Sequence, residues 1–289
     1  MRKGTLFFLY LRKNMVKNCL SNCKINIGLR ILRRRSDGYH DIETIFYPIP
    51  LCDEISVSTL ETGVQDAADI LTMTGIPLSA AGDDNLVMRV VRMLREEGFH
   101  IPPLHISLHK NIPSGAGLGG GSSNAAFTMK LLNELFRLGL SETEMEQRVG
   151  RLGADCAFFV RNKPVLAEGI GNVFTPVNID LKGCWIWLTK PSDFVSTKEA
   201  YQSVRPDETN RTNWPRNNSE IRWDELTNDF EGSVFPNHPD VAALKTMMLR
   251  EGAFYAAMSG SGASVFGLFK EKPRTVDLPE DIFSFVTRL

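Results

Sequence analysis

The sequence predicts an α+β protein of two domains, and three features lead to that expectation. Strand-like alternation crowds the amino-terminal third, helical periodicity takes over in the middle, and strand-length apolar runs return late, without regular strand–helix alternation. At 289 residues, 43% of them hydrophobic and 23% charged, the chain is long enough for one large domain or two moderate ones. The boundary is expected near Val177, between a strand at Val165 to Glu168 and another at Cys184, with a margin of at least ten residues either way.

Taken in order, residues 1–22 hold a short apolar run, Leu6 to Leu11, flanked by basic residues. A secretory leader has a similar layout, but RKNMVKN follows in place of a small-residue cleavage site, and the run is too short to span a bilayer. This stretch is expected to be a disordered tail, or a start assigned too early with Met15 as the first residue. From Cys23, the segment CKINIGLRIL alternates, with Ile25, Ile27, Leu29 and Ile31 on one face and Lys24, Asn26, Gly28 and Arg30 on the other. The pattern predicts a half-buried strand. Asp37-Gly38 marks a turn, after which IETIFYPIP and EISVSTL read as two further strands. A helix is predicted over Asn85 to Glu97 with Gly98 as its stop, and LHISLHK at Leu104 to Lys110 is another alternating strand.

A glycine-rich stretch then leads into a helix with Ala125, Met129, Leu132 and Phe136 as its apolar stripe and Gly139 at its end. Ser141 and Glu144 form a capping-box pattern for a second helix running to about Leu152. Beyond the turn Gly153-Ala154-Asp155 lies the apolar run CAFFV. CWIWLTK and SVFGLF read as buried strands, PDVAALKTMMLREG as a helix, and Arg205 to Arg222 as a polar loop.

Several function classes recede on composition. With 33 Lys+Arg against 34 Asp+Glu, no global field draws the chain onto nucleic acid or an anionic membrane, so neither is an expected partner. Five scattered cysteines make neither a disulfide framework nor a zinc ribbon, and a reducing cytoplasm is the expected compartment. His105 and His109 lack a third ligand nearby, so no protein metal site is expected. Arg33 to Arg35 read as a solvated basic run, and Trp185 and Trp187 as packing residues.

The chemistry concentrates in the loop Pro113-Ser114-Gly115-Ala116-Gly117-Leu118-Gly119-Gly120-Gly121-Ser122-Ser123. Glycines let backbone N–H groups converge on a ligand, and the start of a helix favours anions, so this reads as a phosphate-binding loop. No lysine follows the last glycine, which excludes a Walker loop. GxGxxG is present at Gly115, Gly117 and Gly120, but position 140 is Leu where a dinucleotide fold needs an acid. By residue type alone, Lys24 is an ordinary strand lysine and Asp155 an ordinary turn residue.

The loop resembles, over its full length, the Pro-x-x-x-Gly-Leu-Gly-Gly-Gly-Ser-Ser motif of the GHMP small-molecule kinases. KINIGLRI, SDGYHDIETIF, the glycine loop, LGADCAFFV, AEGIG and MSGSGAS follow one another in the family's order, from Cys23 to about Phe269. The glycine loop identifies only the superfamily. DGYH and the Lys-x-Asn strand point to the branch that phosphorylates a cytidine-diphosphate-linked sugar alcohol with ATP, in non-mevalonate isoprenoid synthesis.

The resemblance implies a two-domain GHMP kinase fold: a ribosomal-protein-S5-like ATP-binding domain at 23–176 and a ferredoxin-like domain at 177–289. It implies Lys24 and Asp155 as the catalytic pair, Pro113 to Ser123 as the ATP loop, and Asn26, Tyr39, His40, Gly260 and Ser261 as substrate-binding residues. Phosphoryl transfer needs an aligned hydroxyl, neutralised γ-phosphate charge and a destination for the proton, and a lysine–carboxylate pair suits those tasks. Tyr39 and His40 can stack on a pyrimidine and bond its edge. Mg²⁺ accompanies ATP, held largely by phosphates and water, with the choice of Ser122 or Ser123 as an added hydroxyl left open. A kinase for homoserine or mevalonate and a non-catalytic nucleotide-binding protein are the alternatives, and a monomer and a weak homodimer are equally compatible with the sequence. Cys23 stands where the family has a small Ala, and Thr209 to Glu220 match no family feature.

Overall fold

The structure, a computed structural model, describes residues 15–60, 68–77, 85–192, 195–207, 209, 214–274 and 276–289. Most of the amino-terminal tail, the Leu6 to Leu11 run included, lies outside the described residues.

Two sheets organise the chain. The first contains β1 (Val16–Arg34), β2 (His40–Thr59), β3 (Ile70–Gly75), β4 (Leu104–Lys110), β5 (Val165–Glu168) and β6 (Val173–Pro176). Their order is β3-β4-β2-β5-β6 with β1 also on β2, and only the β3–β4 pair is parallel. Helices α1 (Leu86–Glu96), α2 (Gly120–Leu135), α3 (Glu142–Gly150) and α4 (Phe158–Arg161) interpose between its strands. The side chain of Asn85 caps α1, and the predicted Ser141–Glu144 capping box is formed in α3. Val90, Leu94, Ala125, Met129 and Leu132 from α1 and α2 pack on Val57, Ile106 and Leu108 of the sheet.

The second sheet contains β7 (Trp185–Lys190), β8 (Tyr255–Met258), β9 (Val265–Phe269) and β10 (Phe283–Arg288), ordered β10-β7-β9-β8 and antiparallel throughout. That is the strand order of a ferredoxin-like unit, with α5 (Thr197–Gln202), α6 (Glu231–Val234) and α7 (Pro239–Arg250) in its first crossover. No helix occupies the second crossover among the described residues. A shared core joins the two sheets: Ile25, Ile27 and Ile45 of the first meet Ile186, Leu188, Phe266 and Leu268 of the second. Among the described residues, no helix is long and apolar enough to cross a membrane.

Three local readings of the sequence are corrected. The first strand opens at Val16, seven residues before Cys23, so residues 16–22 of the expected tail pair with β2 from Ser58 to Cys52. The apolar signal hides there because Val16 and Leu20 face outward at 59% and 61% exposure, ahead of a bulge at Asn22/Cys23 that resets the alternation. Next, IETIFYPIP and EISVSTL form one strand. Pro50, which looks like a break, falls in that same bulge, where no ladder N–H is required.

Lastly, from Cys23 to Leu29 β1 is buried on both faces, and it does not keep a single alternation. Gly28, at φ +64°, sits in a second bulge, so Leu29 and Ile31 leave the face of Ile25 and Ile27 and pack with Trp187 and Val195. CAFFV supplies the short helix α4. Trp187 is fully buried and Trp185 packs beside it. In the polar 205–222 segment, Trp214 is buried over Gly28 and donates from Nε1 to Glu43 Oε2 at 2.6 Å.

Candidate active site

The phosphate-type loop bridges β4 and the 16-residue helix α2. Gly115, Gly117 and Gly119 all have positive φ (58°, 71° and 68°), and left-handed Gly119 occupies the N-cap with no side chain capping the helix. Space is as restrictive as conformation at Gly117, where an added Cβ would collide with the Ser259 carbonyl oxygen. Ala116 and Leu118 bury their side chains in the shared core, Ser114 is exposed, and Pro113 is buried at the loop's start. The two serines of α2 differ. Ser123 is fully buried and donates to Asn22 O at 2.5 Å, whereas Ser122 remains half-buried in the first turn.

Lys24 lies against this loop. Its N–H donates to Leu118 O at 3.1 Å, and its side chain, 4% exposed, donates from Nζ to Asn26 Oδ1 at 2.6 Å and Gly117 O at 3.1 Å. Nζ lies 3.4 Å from Asp155 Oδ2 and 4.6 Å from the centroid of the Phe46 ring. A strand lysine is ordinarily solvated, and here four groups hold its ammonium in one place. Asp155, in the turn after α3, keeps 31% of its side chain exposed toward the cleft, so it is open to a ligand while paired.

A second glycine loop closes the opposite side. Ser259, fully buried, accepts the Asn26 N–H at 3.2 Å and donates to Gly117 O at 3.0 Å, tying β1 and both glycine loops together. Asn26 Nδ2 donates to Thr44 Oγ1 at 3.1 Å. Asn228 holds the second loop from behind, donating to Met258 O at 2.7 Å and Gly260 O at 2.9 Å. Between the loops lies a cleft of about 270 Å³, lined among others by Lys24, Asn26, Asp155, Tyr201, Gly260 and Ser261. Eight of the expected site residues thus converge on it: Lys24, Asn26, Gly115, Gly117, Gly119, Asp155, Gly260 and Ser261.

Tyr39 and His40 stand beside the cleft, outside its lining. Tyr39 is 60% exposed on a turn where its N–H donates to Asp37 Oδ1, and His40 stacks on Tyr201 with ring centroids 4.5 Å apart. Burial, reinforced by the Arg34 charge, lowers the His40 pKa from its ordinary value. Burial, reinforced by Asp155, raises the Tyr201 phenol. Tyr201 and Asn228 escaped sequence reasoning: a lone aromatic in a short helix and one Asn of a polar stretch carry no motif. His105 and His109 bond to Thr72 and Thr74, and no cluster of three metal-ligating side chains occurs among the described residues. Arg33 and Arg35 pair with Asp41.

Known proteins match this arrangement along most of the chain. The family model for the GHMP kinases N-terminal domain matches residues 85–163, and that for the GHMP kinases C-terminal domain matches residues 208–277. The 4-diphosphocytidyl-2-C-methyl-D-erythritol kinase of Bacteroides fragilis is 48% identical over 93% of this chain and 98% of its own length. The enzyme of the same name from Porphyromonas gingivalis is 49% identical over 88% of this chain and 92% of its own. A crystal structure of 4-(cytidine 5'-diphospho)-2C-methyl-D-erythritol kinase superposes with a TM-score of 0.71 at 30% identity, covering 87% of this chain and 90% of that one. Homoserine kinase from Cytophaga hutchinsonii shares the fold at TM-score 0.64 and 15% identity, covering 98% and 96%. The chain belongs to the GHMP kinase family, in the branch of the 4-diphosphocytidyl-2-C-methyl-D-erythritol kinases.

Proposed function

We propose that this protein transfers the γ-phosphoryl group of ATP to the 2-hydroxyl of 4-diphosphocytidyl-2-C-methyl-D-erythritol. The observation that carries the mechanism is the Lys24–Asp155 pair, 3.4 Å apart, in a cleft walled by two glycine loops. The loop from Pro113 to Ser123 receives the ATP phosphates on its backbone and on the amino end of α2. Lys24, held by Asn26 and the Gly117 carbonyl, presents its ammonium to the transferring group, where negative charge builds. Asp155 aligns the substrate hydroxyl and takes its proton on a carboxylate oxygen as the oxygen–phosphorus bond forms and ADP leaves. Gly260 and Ser261 cover the substrate from the second loop, while Tyr39, His40 and Tyr201 supply aromatic faces for the cytosine.

The half-buried carboxylate of Asp155 and the hydroxyl of Ser122 are hard oxygen donors of the kind that suit Mg²⁺, and Ser123 is already committed to Asn22. Bound with the ATP phosphates, Mg²⁺ would neutralise part of their charge. The His40–Tyr201 wall favours the cytidine substrate over homoserine or mevalonate, which offer no ring to stack. The test is ADP release with MgATP and each of the three alcohols, on wild type and Asp155→Ala. Turnover confined to the cytidine substrate and lost in the variant supports the reading; turnover on another alcohol overturns the substrate, and ATP binding without turnover overturns catalysis.

A further inference from the structure

A charged pair that the reaction does not use is buried beneath the phosphate loop. Asp53 on β2 is fully buried, and Lys110, the last residue of β4, is 3% exposed. Lys110 Nζ pairs with Asp53 Oδ2 and donates to Asn124 Oδ1 at 2.9 Å. The other carboxylate oxygen of Asp53 accepts the N–H groups of Asn111 and Ile112, each at 2.8 Å. Asn124 Nδ2 donates to Asp53 Oδ2 at 2.9 Å and to Ser21 Oγ at 2.6 Å.

These contacts fall at both ends of one loop. Asn111 and Ile112 immediately precede Pro113, and Asn124 lies just past the first turn of α2, so a single carboxylate grips the chain entering the loop and the helix leaving it. Four donors satisfy Asp53, as a buried carboxylate requires. Stability alone is a poor reason for such a knot, because well-packed apolar residues serve as well as a buried ion pair. Electrostatic attraction for phosphate is a poor reason too, since Lys110, whose Nζ lies 3.5 Å from where a Gly120 Cβ would be, is neutralised by Asp53. Geometry remains. The glycines from 115 to 121 impose little order of their own, and no side chain caps α2, so the loop takes its shape from its anchors: Ala116 and Leu118 in the core, Lys24 and Ser259 on the Gly117 and Leu118 carbonyls, and Asp53 at its two ends.

We propose that Asp53 is a positioning residue for ATP, holding Pro113 to Gly119 ready for phosphate by tying Asn111, Ile112 and Asn124 to one buried carboxylate. This rests on the reading of that loop as the ATP loop. The test compares wild type, Asp53→Asn and Asn124→Ala by calorimetric titration with MgATP, by KM for each substrate, and by thermal melting. Asn124→Ala leaves the Asp53–Lys110 pair intact, so it reports even where Asp53→Asn fails to fold.

The expected result is a loss of about tenfold or more in MgATP affinity, with the KM for the alcohol substrate within about twofold of wild type. Unchanged MgATP affinity overturns the proposal. So does a fall in melting temperature and active fraction with both KM values unchanged, which is what a merely structural knot produces. A wild type that binds no MgATP overturns the underlying reading of the loop instead.

Discussion

Replacing Lys24 by Met removes the ammonium while nearly keeping the side-chain length, and its cost can be worked from the contacts. At 3.4 Å from Asp155, and at an effective dielectric of ~20 suited to a partly buried pair, the attraction between the charges is about 5 kcal/mol. The charge that develops on the transferring phosphoryl group would feel a comparable field from the same ammonium. Since Asp155 is 31% exposed, water screens part of this, and the loss of one preorganised donor of this kind is typically about 3–4 kcal/mol. The expected outcome is a fall in kcat of about 10²–10³-fold.

The fold should survive the change. Gly117 O keeps the Ser259 hydroxyl at 3.0 Å, whereas buried Asn26 Oδ1 loses its 2.6 Å donor and competes for that same single proton at 3.4 Å. A stability loss of about 1–3 kcal/mol follows, a shift of several degrees in melting temperature. Single-turnover measurement of γ-phosphoryl transfer, on protein shown to be folded by its melt, isolates the chemical step. If Lys24 and Asp155 act as the proposed unit, Lys24→Met with Asp155→Asn should cost much less than the product of the single losses. A Lys24→Met enzyme within tenfold of wild type, or strictly multiplicative losses, would refute the assignment of the pair.

Three further outcomes are expected. Gly117→Ala, which demands both a positive φ and space occupied by the Ser259 carbonyl, should separate the two glycine loops and raise KM for ATP at least about tenfold, read by initial rates. Tyr201→Ala should raise KM for the cytidine substrate about tenfold and leave KM for ATP unchanged; equal effects on both would remove Tyr201 from the substrate side. His40, whose pKa is lowered by burial, is neutral in the fold at a pH where the unfolded chain is already protonated. Its contribution to stability is therefore present above pH ~6.5 and is lost as pH falls through the folded value, so His40→Gln should flatten the acid side of a melting-temperature profile.

The parts of this molecule that could be read from sequence are those in which local rules and tertiary packing agree. The α3 cap is one: Ser141 and Glu144 satisfy each other within a single turn, so nothing distant can override them. The glycine loop is another, because positive φ at Gly115, Gly117 and Gly119 is a demand that few residues other than glycine meet. Strand faces fared differently. Alternation from Cys23 to Leu32 is a valid local pattern, yet the bulge at Gly28 reverses it, and the cause lies far away: Trp214 fills the space over Gly28, and the Tyr255 hydroxyl accepts the Gly28 N–H at 3.0 Å. No window around Gly28 contains either residue.

The same separation explains the site. Lys24 could be picked out only through the family pattern, because what distinguishes it from a solvated lysine is its surroundings: Gly117, 93 positions on, and Asp155, 131 positions on, with Ser259 bridging from the second domain. Burial of Lys24 needs all three segments, and one of them arrives only when the sheets pack through Ile25, Ile27 and Phe266. The shared core is therefore a condition for the geometry of the proposed site as well as for stability. Trimming that core should show this before the fold is lost. Phe266→Leu leaves a void between the sheets and costs about 1–3 kcal/mol, and it should lower kcat by loosening the Ser259–Gly117 link while the melt remains cooperative. If kcat per folded molecule were unchanged, the second domain would close the cleft without tuning it.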